Sequence, residues 1–235
     1  MRSRSSRWIL ALGATLYLAA CSGSTETRAA FERGRALFES TATTDASSNA
    51  LTCATCHGTA SRGAHDTGAP LFGAPLRRSF WGGAEVDFLR SVNHCRRSFM
   101  RAAVDLTAGD DTAEALTAYL ESTPGDAAPQ PFTVVRTIID VPIGNAARGA
   151  AVVESACGRC HGDADGNGRL PPHTPSLRAD FQRAHAQYTP AERRLIFIEK
   201  VRHGCFLGYG GTMPPFAEEA LTDSELADLL AFVGL

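Results

Sequence analysis

"CATCH" at 53–57 and "CGRCH" at 157–161 are the two stretches on which the reading of this chain turns. Both are Cys-x-x-Cys-His, they start 104 residues apart, and a glycine follows each. Their flanks repeat as well. "RGRALFES" (33–40) precedes the first as "RGAAVVES" (148–155) precedes the second, at an offset of 115. Downstream, Pro70-Leu71 answers to Pro175-x-Leu177, Met100 to Met213, and "ALTAYL" (115–120) to "ELADLLAFV" (225–233). The fall in offset from 115 to 104 places an 11-residue insertion in "TATTDASSNALT" (41–52), whose Ser/Thr/Ala composition is that of a loop.

Each unit therefore runs helix, CxxCH, proline loop, helix, methionine, helix, and the pattern predicts an all-α chain of two tandem helical bundles. The opening helix of the second unit is expected over about Asn145 to Ser155, with Ala147, Ala151 and Val152 on the inner face. Thr189, Pro190 and Glu192 form a capping box for its middle helix, and Thr222 with Glu225 forms another for its last. Leu226, Leu229, Leu230 and Val233 make one apolar stripe on that last helix. In the first unit a middle helix over Glu85 to Asn93 would turn Val86, Leu89 and Val92 inward. "STPGDAAPQP" (122–131) breaks the units, and the β-branched "FTVVRTIIDVP" (132–142) is expected as an extended strap. The implied division is 1–20, 21–30, 31–123, 124–144 and 145–235.

Two thiols three residues apart can reach the two vinyl groups of a haem, and a histidine placed immediately after them can bind its iron. A zinc site would need two further regularly spaced ligands in each copy, and a redox dithiol would need a βαβ context. Neither is present. The motifs predict two covalently bound haem c groups, on Cys53 and Cys56 and on Cys157 and Cys160. His57 and His161 are then the candidate iron ligands.

Each unit resembles a class I cytochrome c domain, and the resemblance spans nearly all of the chain beyond residue 30. It implies a fold in which the first and last helices of each unit cross. It implies that His57 and His161 are proximal ligands whose Nδ1–H groups are received by the Pro70 and Pro175 loops. A unit of about 100 residues has a thin core, which a covalently held macrocycle would fill. Met213, set between glycines and two prolines in "GGTMPPF", is the candidate distal ligand of the second haem.

For the first haem three side chains in "VNHCRRSFM" (92–100) compete. Met100 holds the position of Met213. Cys95 also resembles the cysteine ligand in the "I-N-x-C" stretch of dihaem thiosulfate dehydrogenases. His94 has a counterpart in His203, beside a unit that already has its methionine. Of seven cysteines, Cys21 and four haem thiols leave Cys95 and Cys205, which an oxidising compartment would favour pairing as a disulfide. Arg77, Arg78, Arg90, Arg96, Arg97 and Arg101 crowd this segment. They could meet haem propionates, an acidic redox partner or an anionic substrate.

The N-terminus adds an address. "MRSRSSR" is basic, and "WILALGATLYLAA" (8–20) is a 13-residue apolar run ending before Cys21. This resembles a bacterial lipoprotein signal, so Cys21 is expected to be lipidated and the polar 21–30 segment to tether the rest. Ser22, where aspartate would argue for inner-membrane retention, favours the outer membrane. Without Arg2, Arg4 and Arg7, 20 basic residues face 25 acidic ones, which argues against nucleic acid as a partner. "DADGNG" (163–168) reads as a turn, since Thr174 stands where a calcium loop needs glutamate. Trp81 reads as haem-edge packing, and His65, His173 and His185 as loop or surface residues. Together these features predict a periplasmic, lipid-anchored dihaem cytochrome that passes single electrons between redox proteins of the cell envelope. The alternatives are a dihaem oxidoreductase of thiosulfate-dehydrogenase type working at haem 1, or the electron-accepting cytochrome subunit of a dehydrogenase.

Overall fold

The computed structural model describes residues 25–41, 50–122, 124–170, 172–205 and 211–235. The signal segment 1–20, Cys21 and most of the 41–52 insertion lie outside them. The first unit contains helix α1 (25–39), α2 (Cys53–Cys56), α3 (Phe88–Ser98) and α4 (Asp111–Glu121). The second contains α5 (Ala146–Val152), α6 (Gly158–His161), α7 (Ala179–Ala184), α8 (Pro190–His203) and α9 (Asp223–Val233). No strand ladder occurs among the described residues, which hold a single isolated bridge, Phe80 to Glu85. None of their helices is long and apolar enough to cross a membrane.

In each unit the first and last helices cross on a glycine. Gly149 of α5 lies against α9 so closely that a Cβ there would sit 2.7 Å from Phe232 Cβ and nearer still to the Asp228 carbonyl oxygen. Gly34 of α1 meets the Ala115 carbonyl and Tyr119 of α4 in the same way. Asp228 locks the second crossing. Its carboxylate takes two hydrogen bonds from Arg148, at 2.6 and 2.8 Å, and one from the Asn145 N–H at 2.6 Å. Asn145 in turn caps α5 by accepting from the Ala147 and Arg148 amides.

This crossing corrects the expected inner face of α5. Ala147 and Ala151 are exposed, and Gly149, Val152 and Val153 are buried, because the helices approach too closely for a side chain at the seam. The chain then winds through a wider π-type turn, Val153–Cys157, into the haem motif. The middle helix of the first unit also differs. It begins at Phe88, where Asp87 accepts the Arg90 amide, and runs to Ser98. Glu85 is held in its bridge to Phe80, so Val86 stays outside the helix and is 71% exposed.

Both capping boxes expected in the second unit are formed, Thr189 with Glu192 and Thr222 with Glu225. The core of that unit gathers Leu226, Leu229, Leu230 and Val233 with Phe197, Ile198, Val201 and Phe216. The core of the first unit is smaller, built on Phe38, Leu116, Tyr119 and Leu120. The segment between the units forms neither helix nor strand. It is tied down through side chains instead. Phe132 packs edge-on against Trp81 at 5.5 Å, His203 bonds the Val135 carbonyl at 2.6 Å, Arg194 grips Asp140, and Val141 enters the second core.

Candidate haem sites

The two motif histidines are fixed by backbone carbonyls. Nδ1 of His57 lies 2.8 Å from the Ala69 carbonyl, and Nδ1 of His161 lies 2.8 Å from the Pro175 carbonyl. A carbonyl only accepts, so each Nδ1 carries the proton and each Nε2 keeps the lone pair that iron needs. In the first unit the acceptor is thus the residue before Pro70, whereas in the second it is Pro175 itself. Burial pushes both imidazoles below their ordinary pKa, which keeps them neutral and fit to ligate. Gly68 lies flat against the His57 ring. A Cβ there would be 2.7 Å from Cγ and closer still to Nδ1 and Cε1.

Each histidine faces a cavity that also takes in its two motif cysteines and its methionine. Cys157, Cys160, His161 and Met213 line the second, of about 800 Å³. Cys53, Cys56, His57 and Met100 line the first, of about 160 Å³, where Cys95, Phe99 and Trp81 close on the space. The donor sets fit haem c in both units: two thiols for the vinyl groups, a pre-set imidazole and a thioether sulfur. The cavity walls are otherwise largely apolar, as a macrocycle requires.

The three rivals of "VNHCRRSFM" separate. Met100 is 2% exposed and packs with Leu51 and Phe99. Cys95 lines the same cavity, and burial together with the nearby Cys56 and Cys53 pushes its thiol well above the ordinary range. His94 is exposed on the outer side of α3, 4.9 Å from the Trp81 ring, and lines neither cavity. Cys95 and Cys205 touch one hydrophobic cluster yet are not bonded to each other. The Cys205 thiol points to the Ser98 carbonyl at 3.7 Å instead, and Cys95 turns toward the motif cysteines.

The arginines also divide. Arg77 and Arg96 are buried in the wall of the first cavity. Arg77 holds the Pro70 carbonyl at 2.6 Å and the Asp126 carbonyl at 2.9 Å, and Arg96 holds Asn93 and the Val104 carbonyl. Arg90 and Arg97 form surface ion pairs with Glu85 and Asp105, and Arg78 is exposed. Arg101 reaches across to the Gly211 carbonyl and lines the second cavity.

Sequence reasoning missed the junction between the motifs. His65 is no surface residue: its Nδ1 lies 2.7 Å from Ser155 Oγ, and its Nε2 lies 2.9 Å from Glu225. Asp66, beside it, is buried against Arg159 at 2.9 Å. Nothing in the local pattern of 61–70 signals either pairing, because both partners belong to the second unit.

Two all-α units, each with a thiol pair, a carbonyl-tethered histidine and a methionine around one cavity, define a c-type cytochrome with two haem domains. The chain belongs to the family described as "Cytochrome C oxidase, cbb3-type, subunit III", which matches residues 29–120 and again 144–233. The two domains carry two covalently bound haem c groups, and the protein works in electron transfer. No curated protein matches the chain. Among solved structures it is similar to a thiosulfate dehydrogenase from Marichromatium purpuratum in its "as isolated" form, at 18% identity and a TM-score of 0.42. That similarity covers 88% of this chain and 46% of the other, so the chain spans about half the length of that structure.

Proposed function

We propose that this protein is a periplasmic dihaem electron carrier, exported by the 1–20 segment and anchored to the membrane through a lipid on Cys21. It would pass single electrons between redox proteins of the cell envelope. Haem c supplies the one-electron iron couple. The chain's own residues would hold it, Cys53, Cys56, His57 and Met100 in the first unit and Cys157, Cys160, His161 and Met213 in the second. The observation that carries the reading is the presence of a histidine and a methionine in the wall of each cavity. A histidine and a methionine both bound to each iron would leave little site for a substrate, and a thioether ligand would favour the reduced state.

A second reading rests on Cys95, which lines the first cavity beside Met100. A thiolate on that iron would lower its potential and suit catalysis at haem 1. Absorption and EPR spectra of Met100→Ala and Cys95→Ala separate the two. The carrier reading expects Met100→Ala to turn one haem high-spin and Cys95→Ala to leave both spectra unchanged. Loss of a thiolate-type low-spin signal in Cys95→Ala would refute it, and thiosulfate-dependent reduction would then be the assay.

A further inference from the structure

The two haem motifs face each other, and each cavity borrows wall from the other unit. Leu51, Thr55 and Cys56 of the first unit line the cavity of the second, and Pro214 and Pro215, after Met213, line the cavity of the first. Cys56 and Cys160 both line the second cavity.

Charged side chains hold this junction. Arg159 is the residue between the two cysteines of "CGRCH" nearest the histidine. It lies 2.9 Å from the Asp66 carboxylate, 2.9 Å from the Thr55 carbonyl and 3.4 Å from the Ala54 carbonyl. Thr55 and Ala54 are the intervening residues of "CATCH", so Arg159 sits on the exposed carbonyls at the end of α2, where positive charge is favoured. Asp66 is only 3% exposed. One of its oxygens accepts the Gly63 amide at 2.8 Å, and the other makes no aligned hydrogen bond and lies 2.9 Å from the Arg159 guanidinium. A buried carboxylate so placed depends on its partner across the junction. His65 adds the neighbouring contacts to Ser155 and Glu225.

We propose that electrons pass between the two haem groups across the Cys56–Cys160 junction, and that Asp66 and Arg159 are positioning residues for that transfer. This rests on the electron-carrier reading. The transfer moves one electron, oxidising one iron and reducing the other, with no bond made or broken and no proton moved. The pair acts in two ways. It fixes how the two motifs sit against each other, and it sets opposite charges at the junction, with both Asp66 and Arg159 in the wall of the second cavity.

The test uses the haem-loaded protein with Asp66→Asn and Arg159→Gln. Each variant is photoreduced by one electron, the equilibration between haems is timed, and each haem is titrated by spectroelectrochemistry. Electron transfer slows steeply as the two groups move apart, so either substitution is expected to slow the equilibration severalfold. Asp66→Asn removes a negative charge and is expected to shift the haem potentials upward, while Arg159→Gln is expected to shift them downward. Haem content and ligand spectra stay as in the wild type.

Equilibration at the wild-type rate, or potentials shifting in the same direction in both variants, would overturn the proposal even if both proteins melted earlier. Should Arg159→Gln not accumulate, because it strands the buried carboxylate, Asp66→Asn with its near-identical shape decides alone. The ligand spectra of Met100→Ala and Cys95→Ala report on the carrier reading separately, since neither residue belongs to the pair.

Discussion

Replacing Gly149 by alanine tests the helix crossing on which the second unit is built. The new Cβ would lie 2.7 Å from Phe232 Cβ and closer to the Asp228 carbonyl, whereas ordinary contact needs at least 3.4 Å. The obstacles are the backbone and the first side-chain carbon of α9, so no rotamer change makes room. Helix α9 must retreat, and it carries Asp228, which holds both Arg148 and the cap of α5. Overpacking of this kind costs about 1–3 kcal/mol, and the rigid obstacle puts the cost near 3. Alanine returns about 1 kcal/mol in helix propensity, so the net loss is about 2 kcal/mol. For a unit of this size that corresponds to a fall in Tm of about 8–16 °C. Thermal unfolding of the haem-loaded protein, followed by far-ultraviolet circular dichroism, gives the answer. Ala147→Gly on the exposed side of the same helix is the control, expected to lose only about 1 kcal/mol. A Gly149→Ala protein that melts at or above the wild type refutes the reasoning.

Two other outcomes follow from the same geometry. Hydrogen bonds from Arg148 and from the Asn145 amide hold the Asp228 carboxyl below its ordinary value of 3.8. Its contribution is therefore present above that value and fades as pH falls through the lowered one. Melting curves of wild type and Asp228→Asn should differ near neutrality and converge as the pH falls below that ordinary value, and a constant gap would contradict this. Met213→Ala should open one coordination position, giving a high-spin spectrum for one haem and a lower potential for it, with the other haem unchanged. Two unaltered low-spin spectra would exclude Met213 as a ligand.

The parts legible in the sequence were those whose chemistry is local. A capping box spans three residues, so Thr189 with Glu192 and Thr222 with Glu225 could be read directly and are formed. The haem motif is local too, and the duplication could be read because both copies keep the order of their motifs although the spacing between them has changed. The inner face of α5 was misread because hydrophobic periodicity looks for side chains, and the seam is made by the absence of one at Gly149. The start of α3 was misread because Glu85 bonds the amides of Val86 and Asp87 and stays in its turn, leaving Asp87 as the cap. The Asp66–Arg159 and His65–Glu225 contacts were invisible for a different reason. The second spans 160 residues, and each half alone is an ordinary polar side chain in a loop or motif.

The shared cavity walls carry a lesson about descent. A duplicated gene begins as two self-sufficient beads, and either could be lost without harm to the other. Here Cys56 has become wall for its neighbour and Pro214 and Pro215 have become wall in return. A unit expressed alone would keep its own cysteines, histidine and methionine but would lose part of the wall around them.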